Sequence, residues 1–81
     1  MTKDLESPLM RLRTLRRVTQ QELAAQLGVS RQTISNWESG REEPRLKIWQ
    51  TKKLCELLGV GIEDLPESFA PQPIHNTAET K

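Results

Sequence analysis

Apolar residues along the chain recur three or four positions apart, as they do on one face of an α-helix. The first such stripe follows a Ser7-Pro8 pair, a polar cap with proline at the first helical position, and predicts a helix to about Arg17. The stripe itself consists of Leu9, Leu12 and Leu15. Three side chains fall outside it and are expected to be exposed: Met10, Arg13 and Arg17.

Two short helices come next, each with a polar cap at its start and a glycine at its end. Thr19 and Glu22 have the spacing of a capping box, and Gly28 ends the helix that they open. Ser30 caps the following helix, which Gly40 ends. The apolar stripes are Leu23, Ala24 and Leu27 in one helix and Ile34 and Trp37 in the other. The second stripe places its tryptophan in the core.

The last part of the pattern predicts a fourth helix from about Lys47 or Ile48 to Leu58, with Gly59 as its stop. Residues 60–65 predict a final short helix beneath the bundle. Its inward side chains are expected to be Ile62 and Leu65. No alternating apolar pattern predicts strands, so the fold class is all-α: a compact bundle of four to five short helices.

The chain of 81 residues has room for one small domain, which the helix pattern assigns to residues 7–65. Residues 1–6 precede the first cap and are expected to form a flexible N-terminus. Residues 66–81 contain three prolines and few apolar side chains, too few to offset the entropy of ordering them. They are expected to form a flexible tail.

The composition argues against several classes of function. The single cysteine, Cys55, excludes an intramolecular disulfide and is interpreted as a small apolar filler. One cysteine and one histidine cannot form an ordinary structural zinc site. That histidine, His75, falls in the expected tail, where no general base can be held, so an enzyme is not expected. No apolar run approaches the roughly 20 residues of a membrane span, and the N-terminus lacks a signal-peptide pattern. We expect a cytoplasmic protein without a cofactor.

The formal net charge of +1 conceals an uneven distribution. Residues 11–45 carry seven arginines and four glutamates, a net charge of +3. Arginine suits the recognition of phosphate and of guanine better than lysine does. A solvated helix face remains the simpler interpretation of the charge alone.

The two helices between Gln20 and Trp37 have the features of a pair that crosses steeply. Ala24 is small where the backbones approach, and Gly28 supplies a tight turn. With the apolar stripe of the second helix buried, its outer face presents Arg31, Gln32, Ser35 and Asn36. Such a polar and nearly uncharged face suits the reading of base edges.

These features resemble the Cro/phage-repressor family of helix-turn-helix proteins, also called the XRE family, over residues 12–65. The matching positions are Thr19-Gln20, Glu22-Leu23-Ala24, Gly28-Val29-Ser30, Thr33-Ile34-Ser35, Trp37-Glu38, Gly40, Pro44, Leu54, Leu58-Gly59-Val60 and Glu63-Asp64-Leu65. The resemblance implies a lambda-repressor-like fold that binds double-stranded DNA. Two features depart from the pattern: Arg17 stands where relatives commonly have glycine, adding a candidate phosphate contact, and the interval from Pro44 to Gly59 is longer than usual.

The resemblance also implies roles for individual residues. Base edges in the major groove would be read by Arg31, Gln32 and Asn36, with help from Ser35. Phosphates would be contacted by Gln20, Thr33, Ser39, Arg41 and Arg45, of which Gln20 would also brace the recognition helix. Arg13 and Glu38 occupy the positions of an ion pair between the first helix and the recognition helix.

The function that follows is sequence-specific regulation of transcription, with repression by a homodimer on a palindromic operator as the most economical mechanism. The candidate dimer surfaces are residues 60–69 and Trp49, which is either exposed or covers the edge of the core. Two alternatives remain. The chain is an antitoxin whose tail binds a toxin, or a protein-interaction module that does not use the groove.

Overall fold

The computed structural model describes residues 5–73, and these form a bundle of four α-helices. The helices are α1 (Pro8–Leu15), α2 (Gln20–Leu27), α3 (Arg31–Ser39) and α4 (Ile48–Leu58). A short 3-10 helix (Ile62–Asp64) follows α4. The expected all-α class and its number of short helices are confirmed.

The helix ends follow the capping residues of the sequence. The Thr19 hydroxyl accepts a hydrogen bond from the Glu22 amide, and the Glu22 carboxylate accepts one from the Thr19 amide, which completes the capping box. The hydroxyls of Ser7 and Ser30 likewise cap α1 and α3, by accepting hydrogen bonds from the amides of Met10 and Thr33. Gly28, after α2, has a φ of 73°, a left-handed conformation that ends the helix without steric strain.

The core lies where α2 packs against α3 and α4 and where α1 closes over them. Its buried apolar side chains are Leu9, Leu23, Ala24, Leu27, Ile34, Trp37, Leu54, Leu58 and Phe69. The expected burial of the α3 tryptophan is confirmed. Cys55 is half-buried.

Two expected core positions are wrong. Leu15 is 70% exposed, because α1 ends at this residue and the chain turns away through Arg17, whose φ of 59° is left-handed. Ile62 is 62% exposed, because the segment after Gly59 forms a single 3-10 turn rather than a helix long enough to bury one face. Arg13, expected to be exposed, is half-buried.

Both ends of the described chain differ from the expected flexible segments. Strand β1 (Leu5–Glu6) pairs antiparallel with strand β2 (Gln72–Pro73), although no strands were expected. Shortly before β2, Phe69 is buried in the core, and its carbonyl accepts a hydrogen bond of 2.8 Å from the Ser7 hydroxyl. We call residues 66–73 the C-terminal strap. The rest of the expected flexible segments, residues 1–4 and 74–81 with His75, lies outside the described residues.

Candidate nucleic-acid interface

The α2–α3 pair forms a compact unit with a tight turn between its helices. The Val29 amide donates to the Ala24 carbonyl at 3.0 Å, and Ala24 is buried where the helices meet. On α3 the buried residues Ile34, Trp37 and Glu38 occupy one side. The opposite side of α3 therefore faces solvent as a continuous polar surface.

That outer face carries the four residues expected to read bases. Arg31 and Gln32 are exposed, while Ser35 and Asn36 are half-buried. The Gln32 amide nitrogen donates to the Asn36 side-chain oxygen at 3.0 Å, and the Asn36 amide nitrogen donates to the Glu42 carboxylate at 3.3 Å. Gln32 and Asn36 therefore form one hydrogen-bonded group, whose amides are oriented together on the surface.

Thr33 and Ser39, two of the expected phosphate contacts, are engaged within the protein. The Thr33 hydroxyl lies 2.9 Å from the Ser30 hydroxyl at the start of α3. Ser39 donates its hydroxyl to the Asn36 carbonyl at 3.2 Å. The Ser39 hydroxyl can donate to an external oxygen only if its internal bond is exchanged, whereas in the Thr33–Ser30 pair either hydroxyl can be the donor.

The loop after α3 carries two exposed arginines, Arg41 and Arg45. Its start is fixed because the backbone amides of Arg41 and Glu42 both donate to the Asn36 carbonyl, at 2.9 and 3.2 Å. Within residues 5–73, neither of these arginines nor Arg31 forms an ion pair with a carboxylate. Their exposed guanidinium groups are therefore available to an external anion.

Behind the face, a buried polar cluster holds α3 against the first two helices. Arg13 donates from Nε to Glu38 at 2.8 Å, so the expected ion pair is present. The Gln20 amide nitrogen also donates to Glu38, at 2.9 Å, and Arg13 donates to the Val18 carbonyl at 3.0 Å. Gln20 thus braces α3 from the first turn of α2, and its half-buried side chain is already occupied by this bond.

Gln50 makes a second bridge, which was not expected from the sequence. Its oxygen accepts a hydrogen bond from the Lys47 amide at 2.7 Å, and its nitrogen donates to the Leu27 carbonyl at 2.9 Å. The side chain therefore links the start of α4 to the end of α2. A glutamine three residues after the helix cap is the signal that could have identified it.

Trp49 lies over the turn of the helix pair. Its ring reaches within 3.7 Å of the point where a Cβ would stand on Gly28, yet the residue remains 52% exposed beside the exposed Ile48. Of the two environments expected for this tryptophan, the structure shows the exposed one, with one edge of the ring near the Gly28 turn.

Two other kinds of site are not found in the part of the chain that the structure describes. No three acidic, histidine or cysteine side chains between residues 5 and 73 come together as a metal site. No helix in the same range has the length and apolarity to cross a membrane.

Comparison with known proteins agrees with this geometry. The profile of the HTH_3 helix-turn-helix family matches residues 9–65. An uncharacterized HTH-type transcriptional regulator of Methanocaldococcus jannaschii is 43% identical over 61 residues, covering 75% of this chain and 89% of that protein. The HTH-type transcriptional activator BcrR of Enterococcus faecalis is 39% identical over 62 residues, which are 76% of this chain and 29% of BcrR. The chain belongs to the HTH_3 family of helix-turn-helix proteins.

Proposed function

We propose that this protein is a sequence-specific transcriptional regulator that inserts α3 into the major groove of duplex DNA. The observation that carries the proposal is the two-sided character of α3, whose inner side is buried while its outer side is polar and solvent-facing. Base edges would be contacted by Arg31, Gln32, Ser35 and Asn36. Arginine pairs with guanine and the amide side chains pair with adenine, so this set can distinguish base pairs.

Phosphates on either side of the groove would be contacted from the ends of the helix pair. Arg41 and Arg45 are the strongest candidates, because their charges are exposed and lack a carboxylate partner within the described residues. Gln20, Thr33 and Ser39 would contribute weaker contacts, since each is engaged in a hydrogen bond within the protein. Such contacts fix the register of α3 without reading the sequence.

The regulator is proposed to act as a homodimer on a palindrome with half-sites about 34 Å apart. Of the candidate dimer surfaces, residues 60–69 offer the exposed Ile62, while Phe69 is buried within its own chain. Trp49 and the adjoining Ile48 offer a second exposed apolar surface. Ile62→Glu and Trp49→Glu, tested separately by sedimentation, identify which surface carries the dimer.

Repression by blocking a promoter is the proposed outcome of binding, because it needs nothing beyond occupancy of the operator. The relative BcrR is named as an activator, and the match covers 29% of it, so the sign of regulation is a property to be measured. A promoter fusion carrying the selected operator measures it. Reporter activity that rises with the protein would contradict repression while leaving DNA binding intact.

One observation favours the alternative of a protein-interaction module. A groove of about 560 Å³ lies between the loop after α3 and the C-terminal strap. Its apolar lining includes Leu46, Leu65 and Phe69, and the lining also contains three glutamates but no lysine or arginine. The partner that this charge favours is a basic peptide with apolar side chains.

Selection of random duplexes on the purified protein, at two salt concentrations, tests the main proposal. An enriched palindrome supports a dimeric, sequence-specific regulator and provides its operator. A folded protein that enriches no sequence would overturn the proposal and favour a protein-interaction module or an antitoxin that awaits its toxin.

A further inference from the structure

We propose that the C-terminal strap sets the position of α3 and so determines how sharply the protein discriminates between DNA sequences, with Phe69 as the principal positioning residue. The inference rests on the proposed function, because discrimination is defined only for a protein that reads DNA. It concerns residues 66–73, which lie beyond the region that the family profile matches.

The first contact of the strap is with the inner side of α3. Phe69 is 6% exposed, and its ring lies 6.1 Å from the ring of Trp37, tilted by 51°. Trp37 stands five residues after Gln32, which places it on the opposite side of the helix from the base-reading face. The contact of Phe69 with Trp37 on the inner side of α3 therefore sets how far the base-reading face projects from the bundle.

The second contact of the strap is with the end of α3. A Cβ built on Gly40 would lie 3.1 Å from the Cβ of Ala70 and 3.5 Å from Pro71, so the strap passes closely over the turn. The buried Glu38 holds the same end of α3 from the side of α1 and α2. The last turn of α3 is thus clamped between this ion pair and the strap.

The strap is itself fastened at two points to the N-terminal segment. Ser7 donates its hydroxyl to the Phe69 carbonyl and accepts a hydrogen bond from the Met10 amide, so one side chain caps α1 and holds the strap. Beyond it, Glu6 pairs with Gln72 in the two-stranded ladder. The position of the strap is therefore tied to that of α1. The same helix carries Arg13, which pairs with Glu38 on the other side of α3.

Substitution of Phe69 separates positioning from stability. Phe69→Leu keeps an apolar side chain and loses the ring, while Phe69→Ala removes most of the contact. Leu58→Ala is the matched control, because Leu58 is equally buried but lies on α4, which packs on α1, α2 and the 3-10 helix. Each variant is compared with wild type at a temperature where circular dichroism shows that the variant is fully folded. If Phe69→Ala does not fold, Phe69→Leu decides the outcome.

The readout is the ratio of dissociation constants for a scrambled duplex and for the duplex selected by the wild-type protein. We expect Phe69→Leu to lower this ratio several-fold and Phe69→Ala about tenfold, comparable to one mismatched base pair, with affinity for the scrambled duplex unchanged. Leu58→Ala should leave the ratio unchanged. A ratio that is equal in wild type and both Phe69 variants would overturn the inference.

Amide hydrogen exchange on the free protein provides a measurement that does not depend on DNA. Phe69→Leu should reduce the protection of α3 more than that of α2, whereas Leu58→Ala, on a helix that packs on α2, should reduce the protection of α2 at least as much as that of α3. Equal loss in α2 and α3 for the Phe69 variant would show a merely structural role. If the wild-type protein enriches no duplex, the proposed function fails, and the exchange data alone decide whether the strap holds α3.

Discussion

Arg13 on α1 and Glu38 on α3 form a two-pronged ion pair whose carboxylate is almost completely shielded from water. Nε of Arg13 donates to one oxygen at 2.8 Å and Nη2 donates to the other at 3.2 Å. The Glu38 side chain is 3% exposed and also accepts the Gln20 amide. Its carboxylate is therefore held from two helices at once, and these bonds attach α3 to the rest of the bundle.

Glu38→Ala should lower the free energy of unfolding by about 3 kcal/mol, because it leaves the half-buried Arg13 charge and the Gln20 amide without their acceptor. Urea denaturation followed by circular dichroism measures the change. The double variant Arg13→Met with Glu38→Leu should recover part of the loss, because it removes both buried charges.

The Lys53–Glu56 pair provides the control for that experiment. It is exposed and its atoms are 3.8 Å apart, so Glu56→Gln should change stability by less than about 1 kcal/mol. Similar losses for Glu56→Gln and Glu38→Ala would contradict the structural importance assigned to the buried pair.

Gly28→Val should destabilise the whole domain by about 2 kcal/mol, since a β-branched residue is strained at a φ of 73°. The added Cβ would meet Trp49 at 3.7 Å, an ordinary contact, so the cost comes from the backbone. For a domain of this size the melting temperature should fall by roughly 10 °C. An unchanged melting temperature would show that the turn does not need this conformation.

Arg17→Gly should have opposite effects on stability and on DNA binding. Arg17 has a φ of 59°, and relief of this strain should raise stability by about 0.5–1 kcal/mol after the entropy of the added glycine is subtracted. Loss of the exposed charge should weaken binding to every duplex. Thermal unfolding measures the effect on stability, and binding at several salt concentrations measures the effect on affinity. Arg11→Gln is the control, because it removes one exposed charge, on α1, without changing the backbone.

The turn at Arg17 also shows how far the sequence predicts the fold. Capping residues and glycine stops depend on local chemistry, so Thr19, Glu22 and Gly28 located α2 correctly. The exposure of Leu15 depends on a left-handed arginine that ends α1 early, and the apolar spacing contains no sign of it.

Long-range contacts account for the rest of the difference. Phe69 stands in a polar, proline-rich segment without periodicity, and its contacts are with distant residues: Trp37, and Ser7, which is 62 residues away. In the candidate site, the sequence and the family resemblance named the residues of the outer face. They did not indicate that Gln32, Asn36 and Glu42 are joined by hydrogen bonds, because the last of these lies in a loop whose path only the structure defines.

Arg41→Ala and Arg45→Ala should each weaken binding to all duplexes alike. Their contacts are proposed to be with phosphates, so each substitution should reduce the slope of log K against log salt by about 1. Titrations of the selected and scrambled duplexes at several salt concentrations measure this slope. Lys52→Ala, an exposed charge on α4, serves as a control and should leave the slope unchanged. A change in sequence preference for Arg41→Ala would instead assign it to base reading.

Gln32→Ala should cost about 1–3 kcal/mol of binding free energy and relax the preference at one base pair, since Gln32 is proposed to read a base edge. The substitution also frees the Asn36 oxygen that Gln32 holds at 3.0 Å, so the preference at a neighbouring base pair should weaken as well. Repeating the duplex selection with the variant measures both effects. Gln26→Ala, which replaces another exposed glutamine, on α2, should leave the selected sequence unchanged. If Gln32→Ala lowers affinity equally for selected and scrambled duplexes, Gln32 contacts the backbone and the outer face of α3 does not read sequence at that position.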